Sequence, residues 1–581
     1  MYLKRSFNKN TGRTYLSIAK KFRNPKTGVS TDRNIKSLGY LDVLEKEYDD
    51  PIAYFKELAL KMTNEEETEK KVALSFSMDE KLPVDTDNGK NFGYAAILKI
   101  YHELELHRFL NNKSRHENFK YNTNSIMILL VISRLLSPGS KKKAFEEKER
   151  YFERFNFSLM DVYRSLSHFS DISLELQRYL HFQISEKYGR STKVIYYDVT
   201  NYYFEIDKAD DFRKLGLSKE KRKNPIIQMG LAIDENGIPL HYRLYPGNTV
   251  DKETFRPAIG EIRRNYDTGK VIVVADMGII TGDNIYYLLG GEKGNNLNGY
   301  IFSFSVRGGT NDFKDYVLSE SEYVDKDGKA AKADTDFKVK HRVVAREINV
   351  TLQSGRKVKK VVYEKQVIFW SNKYALKAKA DREEVLKKAY ALVKDPKKYT
   401  KATSYGAAKY VKNLEFDKKS GEYVESKGKP VLDEKRVSED EKYDGYYAIV
   451  TSELDMPCDE IISTYRGLWE IEETFKITKS DLETRPIFVS LDDHINAHFL
   501  TCFIALTILR IIQKKTKGQY SAERIINCLN KISCSYEQDN IYLFKYRSTI
   551  SDVIGKALGI DFTNKRLYLK DIKNILGDVK K

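Results

Sequence analysis

A chain of 581 residues with 41% hydrophobic content is too long for one ordinary core and predicts two to four domains. Its net charge of +17 and pI of about 9.2 favour a polyanionic partner, most simply nucleic acid, over a lysine-rich surface that only keeps the protein dissolved. The cysteines, Cys458, Cys502, Cys528 and Cys534, form no CxxC pair and lack partners at zinc spacing, which argues against a disulfide scaffold and a structural zinc.

The opening MYLKRSFNKNTGR lacks the apolar stretch of a signal peptide. The longest apolar run, residues 499–509, falls short of the roughly 18 residues a membrane span needs. A cytoplasmic protein with no membrane contact is the expectation. Residues 1–45 read as short strands with turns at 10–12 and 24–28 and basic residues on either side, either a module touching DNA or a basic lid. Asp50-Pro51 breaks the chain, and 52–71 reads as a charged helix. Residues 92–190 read as mostly helix. SIMILLVISRLL is apolar all round and so buried, and SPGSKKKAF is a loop carrying Lys141, Lys142 and Lys143.

From Ser191 the pattern changes to strands. KVIYYDVTNYYF is the first, and IIQMGLAI and IPLHYRLY form a hairpin around an Asn-Gly turn. PGNTVD starts a helix, VIVVAD is the fourth strand and GYIFSFSV the fifth. Asp198 ends VIYYD and Asp276 ends VIVVAD, two carboxylates at the ends of β-branched runs that read as buried strands. Beyond residue 306, KVKHRVVAREINV and KVKKVVYEKQVIFWS alternate like strands, KADREEVLKKAYALV reads as a helix, and DGYYAIVTS reads as a strand returning to the core.

The stretch TYRGLWEIEETFKITKSDLETR, residues 464–485, follows. Read as one helix, it puts Tyr465, Glu472 and Lys479 on one stripe, seven residues apart, together with Leu468, Trp469 and Phe475. An acid on such a stripe is costly unless something pairs it. The bland alternative is a surface helix with its charges solvated. Glu470 and Glu473 flank Glu472, but only Glu472 shares the stripe with Tyr465 and Lys479. Three carboxylates, on two strands and a helix, could converge on magnesium or manganese, which favour oxygen ligands. HINAHFLTCFIALTILRII is a buried helix. His494 and His498 sit four apart on it, yet no third ligand matches them, so they read as core histidines.

These motifs resemble the DDE transposases of bacterial insertion sequences, in the group whose third catalytic acid sits in Tyr-x2-Arg-x3-Glu-x6-Lys. Tyr465, Glu472 and Lys479 fit that spacing; the arginine position holds Leu468, with Arg466 two residues earlier. YYDVTNYYFE, VVADMG and RPIFVSLDDHINAHFL also look like the family, and the resemblance covers about residues 90–515. It implies an α/β catalytic core that is ribonuclease-H-like, a mixed sheet flanked by helices, with a β-rich insertion domain and a helical N-terminal region. The expected organisation is a β-rich module at 1–60, a helical DNA-binding region at 61–190, the core at 191–306 and 456–515, the insertion at 307–455 and a helical tail at 516–581 with a short strand at RLYLK.

The resemblance further implies that Asp198, Asp276 and Glu472 are catalytic and hold two Mg2+ (or Mn2+), and that Tyr465 and Lys479 contact DNA phosphate. The implied activity is metal-dependent DNA cleavage and strand transfer. The implied partners are DNA, as terminal inverted repeats and target, and a second copy in a homodimer on DNA, in the cytoplasm and on the nucleoid. Lys219 and Arg222, in SKEKRKNP, are either phosphate contacts or part of a solvated turn. Trp370 either stacks on a flipped base or is a buried aromatic. Rival functions are a nuclease of the same fold without strand transfer and a non-catalytic DNA-binding protein.

Overall fold

The computed structural model describes residues 1–581 except 10, 24–29, 69–76, 78, 80, 82–83, 85–86, 116, 217–218, 220–222, 292–297, 333, 399–405, 417–422 and 425–427. The expected turn at 24–28 lies outside the described residues. The chain forms two units, Met1–Thr86 and Asp87–Lys581.

In the first unit, strands Tyr2–Asn8, Arg13–Arg23 and Ser30–Tyr40 form an antiparallel sheet in chain order. Leu16 of the middle strand packs on Leu44 and on Phe55 of the helix Pro51–Thr68, which gives this small sheet its core. Asp50 accepts from the backbone N–H groups of Ile52 and Ala53, and Pro51 opens the helix where no backbone donor is needed.

The second unit opens with helices around α1 (Thr123–Leu136), whose Asn122 cap accepts from Ser125 N–H. Being apolar on all sides, α1 is buried on all sides. The run at Lys141 is not the loop expected. It starts the helix Lys141–Glu146, and Lys141 is only 4% exposed, its ammonium 3.2 Å from His498 Nδ1.

The sheet that carries the site follows. Its strands are β1 (Val194–Tyr203), β2 (Ile226–Asp234), β3 (Pro239–Pro246), β4 (Ile272–Ala275), β5 (Gly299–Phe304), β6 (Phe337–Thr351), β7 (Lys357–Ser371) and β8 (Tyr446–Thr451). They lie in the order β6-β7-β8-β5-β4-β1-β2-β3. β1, β2 and β3 are antiparallel, while β1, β4 and β5 run parallel. Helix α2 (Asp251–Asn265) connects β3 to β4. This is the mixed sheet expected of the α/β core.

The segment between β5 and β8 does not make a sheet of its own from its long strands. Its hairpin, β6 and β7, continues the core sheet through β8. Helix α3 (Asn372–Lys394) and short strand pairs occupy most of the rest.

One face of the sheet packs Ile195, Tyr197 and Val199 on Phe255, Ile259 and Ile262 of α2. The other packs Tyr196, Tyr202 and Leu231 on α4 (Cys458–Arg466), α5 (Trp469–Lys476) and α6 (Asp492–Lys515). α6 is long and apolar enough to cross a membrane, but 94% of its apolar window is buried inside the fold, so it is a core helix. Beyond it the short strand expected at RLYLK forms, as Arg566–Tyr568, and two further strands join it. Strands Ser533–Tyr536, Ile541–Phe544 and Arg566–Tyr568 form a four-stranded sheet with Gly89–Asn91, in which Ser533 pairs with Asn91.

Candidate active site

Side chains alternate along β1, so Tyr196, Asp198 and Thr200 share the face beneath α4 and α5. The Tyr196 hydroxyl donates to Thr464 O at 3.0 Å, and Thr200 Oγ1 accepts from Lys479 Nζ at 2.8 Å. The signature segment is thus held to β1 on either side of Asp198. Burial pushes the Asp198 carboxyl up from 3.8 to about 6. The carboxylates of Asp251 and Asp276 push it the same way, while the Lys219 ammonium and Val199 N–H oppose them.

A half-buried acid of this kind makes folding depend on pH. The folded chain holds the Asp198 proton more tightly than the unfolded chain, so the contribution to stability is greatest below about pH 4 and is lost as pH rises through about 6. The shift corresponds to about 3 kcal/mol. Without divalent cations, Asp198→Asn is expected to melt higher than wild type at pH 7.5, with the gap closing by pH 4. Equal melting temperatures at pH 7.5 would show that Asp198 carries no such burial cost.

Asp276 follows β4 and caps a short turn. Its Oδ1 accepts from Met277 N–H at 2.7 Å and from Ser303 Oγ of β5 at 2.8 Å. Burial raises the phenol of Tyr465, at the end of α4, to about 12; the nearby Ser303 hydroxyl opposes the rise, and Asp276 and Glu472 add to it. Asp276, Ser303 and Tyr465 line one cavity with Arg307 and Lys377.

The signature segment is not the single helix expected. Tyr196 occupies the Thr464 carbonyl, and Leu468 N–H turns to Tyr465 O at 3.0 Å, which breaks α4 from α5 at residues 467–468. A Cβ at Gly467 would lie 2.1 Å from the Tyr196 hydroxyl, so only glycine allows this approach. After α5 the chain widens into a π-turn, Ile477–Asp481, which carries Lys479. Burial, with Lys219 alongside, lowers the Lys479 ammonium to about 8; Asp198 opposes the fall.

Leu468 is 8% exposed in the core, but Trp469 is 55% exposed and does not join the buried stripe. Glu470 and Glu473 both face Arg510 of α6, at 3.7 and 3.4 Å. Glu472 is exposed and makes no hydrogen bond or ion pair among the described residues. Arg466 lines a different cavity, with Phe337, Ser371 and Asp459, and its guanidinium lies 6.0 Å from the Phe369 ring centre.

Lys219 donates to Val199 O, one residue from Asp198. Arg222 lies outside the described residues. Trp370 is half-buried, and its indole N–H donates to Asp444 O at 3.0 Å. His498 is buried between Lys141 and Thr484 O, and its imidazole is held well below the usual range by burial.

Carboxylates suit a hard divalent cation, and Asp198, with two further acids raising it, is a site such a charge would relieve. Among the described residues, however, no three acids, histidines or cysteines already form a chelating group. Two contributors escaped the sequence reading. Asp251 was legible only as the start of a helix, and Ser303 only as one residue of a strand.

Residues 194–508 match the family model of the transposase DDE domain, and residues 3–72 match that of the IS1634 family transposase, N-terminal domain. A comparison with curated proteins finds no match.

Proposed function

The chain belongs to the DDE transposases of insertion sequences, DNA-cleaving and strand-transferring enzymes that depend on divalent metal, and from this we propose that Asp198, Asp276 and Glu472 are its catalytic acids. The observation that carries the assignment is the half-buried Asp198 carboxyl, bracketed by the Tyr196–Thr464 and Thr200–Lys479 contacts and raised in pKa by desolvation, with Asp251 and Asp276 adding to it. Glu472 is preferred to its neighbours because Glu470 and Glu473 are engaged by Arg510.

The three carboxylates would hold two Mg2+ (or Mn2+), which when bound supply charge neutralisation at the attacked phosphate and a more acidic water. The residues of this chain do the positioning. The middle of β1 holds Asp198, not a strand end as expected, the end of β4 holds Asp276, and α5 carries Glu472. Lys479 and Lys219 bring positive charge to the edge of the acids, where a DNA phosphate must come, each as a point charge. The bond to Asp444 O favours a role for Trp370 in holding the fold over stacking on a base. Arg222 remains a candidate phosphate contact by sequence alone. The DNA partners would be the element's terminal inverted repeats and a target, bound by a homodimer in the cytoplasm. The reduced thiols fit that compartment.

Single-turnover cleavage of a labelled element end with magnesium tests the placement of the signature segment. Lys479→Ala is expected to cost at least about tenfold, roughly 1.4 kcal/mol of transition-state stabilisation, and Arg466→Ala little. Leu468 fills a core position where relatives carry arginine, and Arg466 opens onto another cavity. An Arg466→Ala loss as large as that of Lys479→Ala would overturn this placement. Incubating the cleaved end with a target plasmid then separates a transposase from a nuclease, since only the transposase yields joined product.

A further inference from the structure

We propose that Asn284 is a positioning residue of the acidic site, its side-chain amide clamping the turn that Asp276 caps to the first turn of α2, which Asp251 opens. Asn284 lies in the helix Gly282–Leu288 and is 1% exposed. Its Nδ2 donates to Ile279 O at 2.8 Å and to Lys252 O at 3.0 Å, and its Oδ1 accepts from Arg256 Nε at 3.1 Å. Ile279 ends the turn after Asp276, and its own N–H donates back to Asp276 O at 3.2 Å. Lys252 follows Asp251 at the start of α2. One amide thus joins the two stretches of backbone that carry Asp276 and Asp251.

An amide is what these three partners require. The two carbonyls need donors and the guanidinium needs an acceptor. Aspartate would set an oxygen against both carbonyls, and leucine would leave all three partners unmatched. Arg256 fixes which way the amide points and is itself held, its Nη2 lying 3.3 Å from Asp283 Oδ2. Asp283 Oδ1 in turn accepts from Thr351 N–H, at the end of β6, at 2.6 Å. A second tie binds the same turn of α2 to the sheet. Thr254 Oγ1 accepts from the hydroxyl of Tyr197, the neighbour of Asp198 on β1, at 2.8 Å, and Thr254 O accepts from that of Tyr245 on β3 at 2.7 Å. The start of α2 is therefore fixed to β1 through Thr254 and to the turn after Asp276 through Asn284.

Charge explains why the clamp is neutral. Asp251 and Asp276 both push the Asp198 carboxyl up, so holding these acids near one another is unfavourable by itself. A cationic side chain bridging them would relieve the repulsion but occupy the oxygens a divalent cation needs. Bonds to backbone carbonyls hold the carriers of the acids and leave their charge for the cation.

The clamp rests on the reading that Asp198 and Asp276 bind a divalent cation. Its test uses the full-length protein and Mn2+ as the probe, titrated without DNA and followed by electron paramagnetic resonance, at a temperature where circular dichroism shows the variants folded. Asn284→Leu keeps the volume and removes the bonds, and is expected to weaken Mn2+ binding about tenfold or more. Arg256→Met, at a side chain 43% exposed, keeps the fold and is expected to weaken it about threefold. Added to Asn284→Leu it should cost little more, because Arg256 acts through the amide. Gln177→Ala is the control for general destabilisation. Gln177 is likewise buried, on the helix Ser173–Tyr188, and accepts from Tyr242 N–H at 2.9 Å. Its loss should lower the melting temperature and leave Mn2+ affinity within about twofold of wild type.

The failures are distinguishable. If wild type binds no Mn2+, the reading of the acids as ligands falls and takes the clamp with it. If wild type binds Mn2+ and a folded Asn284→Leu binds it as tightly, the clamp alone is wrong. Should Asn284→Leu not fold, Arg256→Met decides, and unchanged binding there overturns the clamp. If Gln177→Ala loses as much Mn2+ affinity as Asn284→Leu, the loss follows stability in general and the clamp is again overturned.

Discussion

Asp198→Ala is expected to lower single-turnover cleavage of a labelled element end by at least about a thousandfold, roughly 4 kcal/mol of transition-state stabilisation, and to leave DNA affinity nearly unchanged. The size follows from position. Asp198 is the most buried of the three acids, lies on the strand between β4 and β2, and feels both Asp251 and Asp276. No neighbouring carboxylate can replace it, because β1 places Tyr196 and Thr200 on either side and both are engaged by the signature segment. Affinity survives because most of the positive charge lies elsewhere in the chain. Retention of more than a tenth of wild-type cleavage would require another acid to hold the site.

DNA affinity of the full-length protein is expected to fall by about a thousandfold or more between 50 and 200 mM salt, if six or more phosphates are contacted. The chain carries a net charge of +17, and residues 1–40 hold ten lysines or arginines against one acid. Each phosphate neutralised releases condensed counterions, so the slope of log affinity against log salt counts the contacts. Fluorescence anisotropy across a salt series measures it, and a flat response would refute the electrostatic origin of binding.

Much of the core was legible because burial on both faces of a sheet leaves an unmistakable pattern. VIYYD and VIVVAD are β-branched and aromatic runs, and an acid at the end of each stands out. The order of three strands, a helix and a fourth strand likewise followed from periodicity. What escaped was set by partners distant in the chain. The break at residues 467–468 comes from the Tyr196 hydroxyl against Gly467, a contact no local spacing encodes. Lys141 looked like part of a basic loop because its partner, His498, lies 357 residues away. The alternation of β6 and β7 announces strands but does not say which sheet they join. Ser303 was invisible because one serine on a buried strand has no signal until Asp276 and Tyr465 arrive beside it.

The pairing of Gly89–Asn91 with Ser533–Tyr536 has a consequence for the gene. The first strand of the second unit finds its partner only when nearly all of the chain has been made. At typical synthesis rates that takes roughly half a minute to two minutes. The core helix α6 also arrives late, so the helices around α1 wait with apolar surface uncovered. A gene copy that loses its 3′ end therefore encodes no smaller working enzyme. Its product lacks the strand that pairs with Gly89–Asn91.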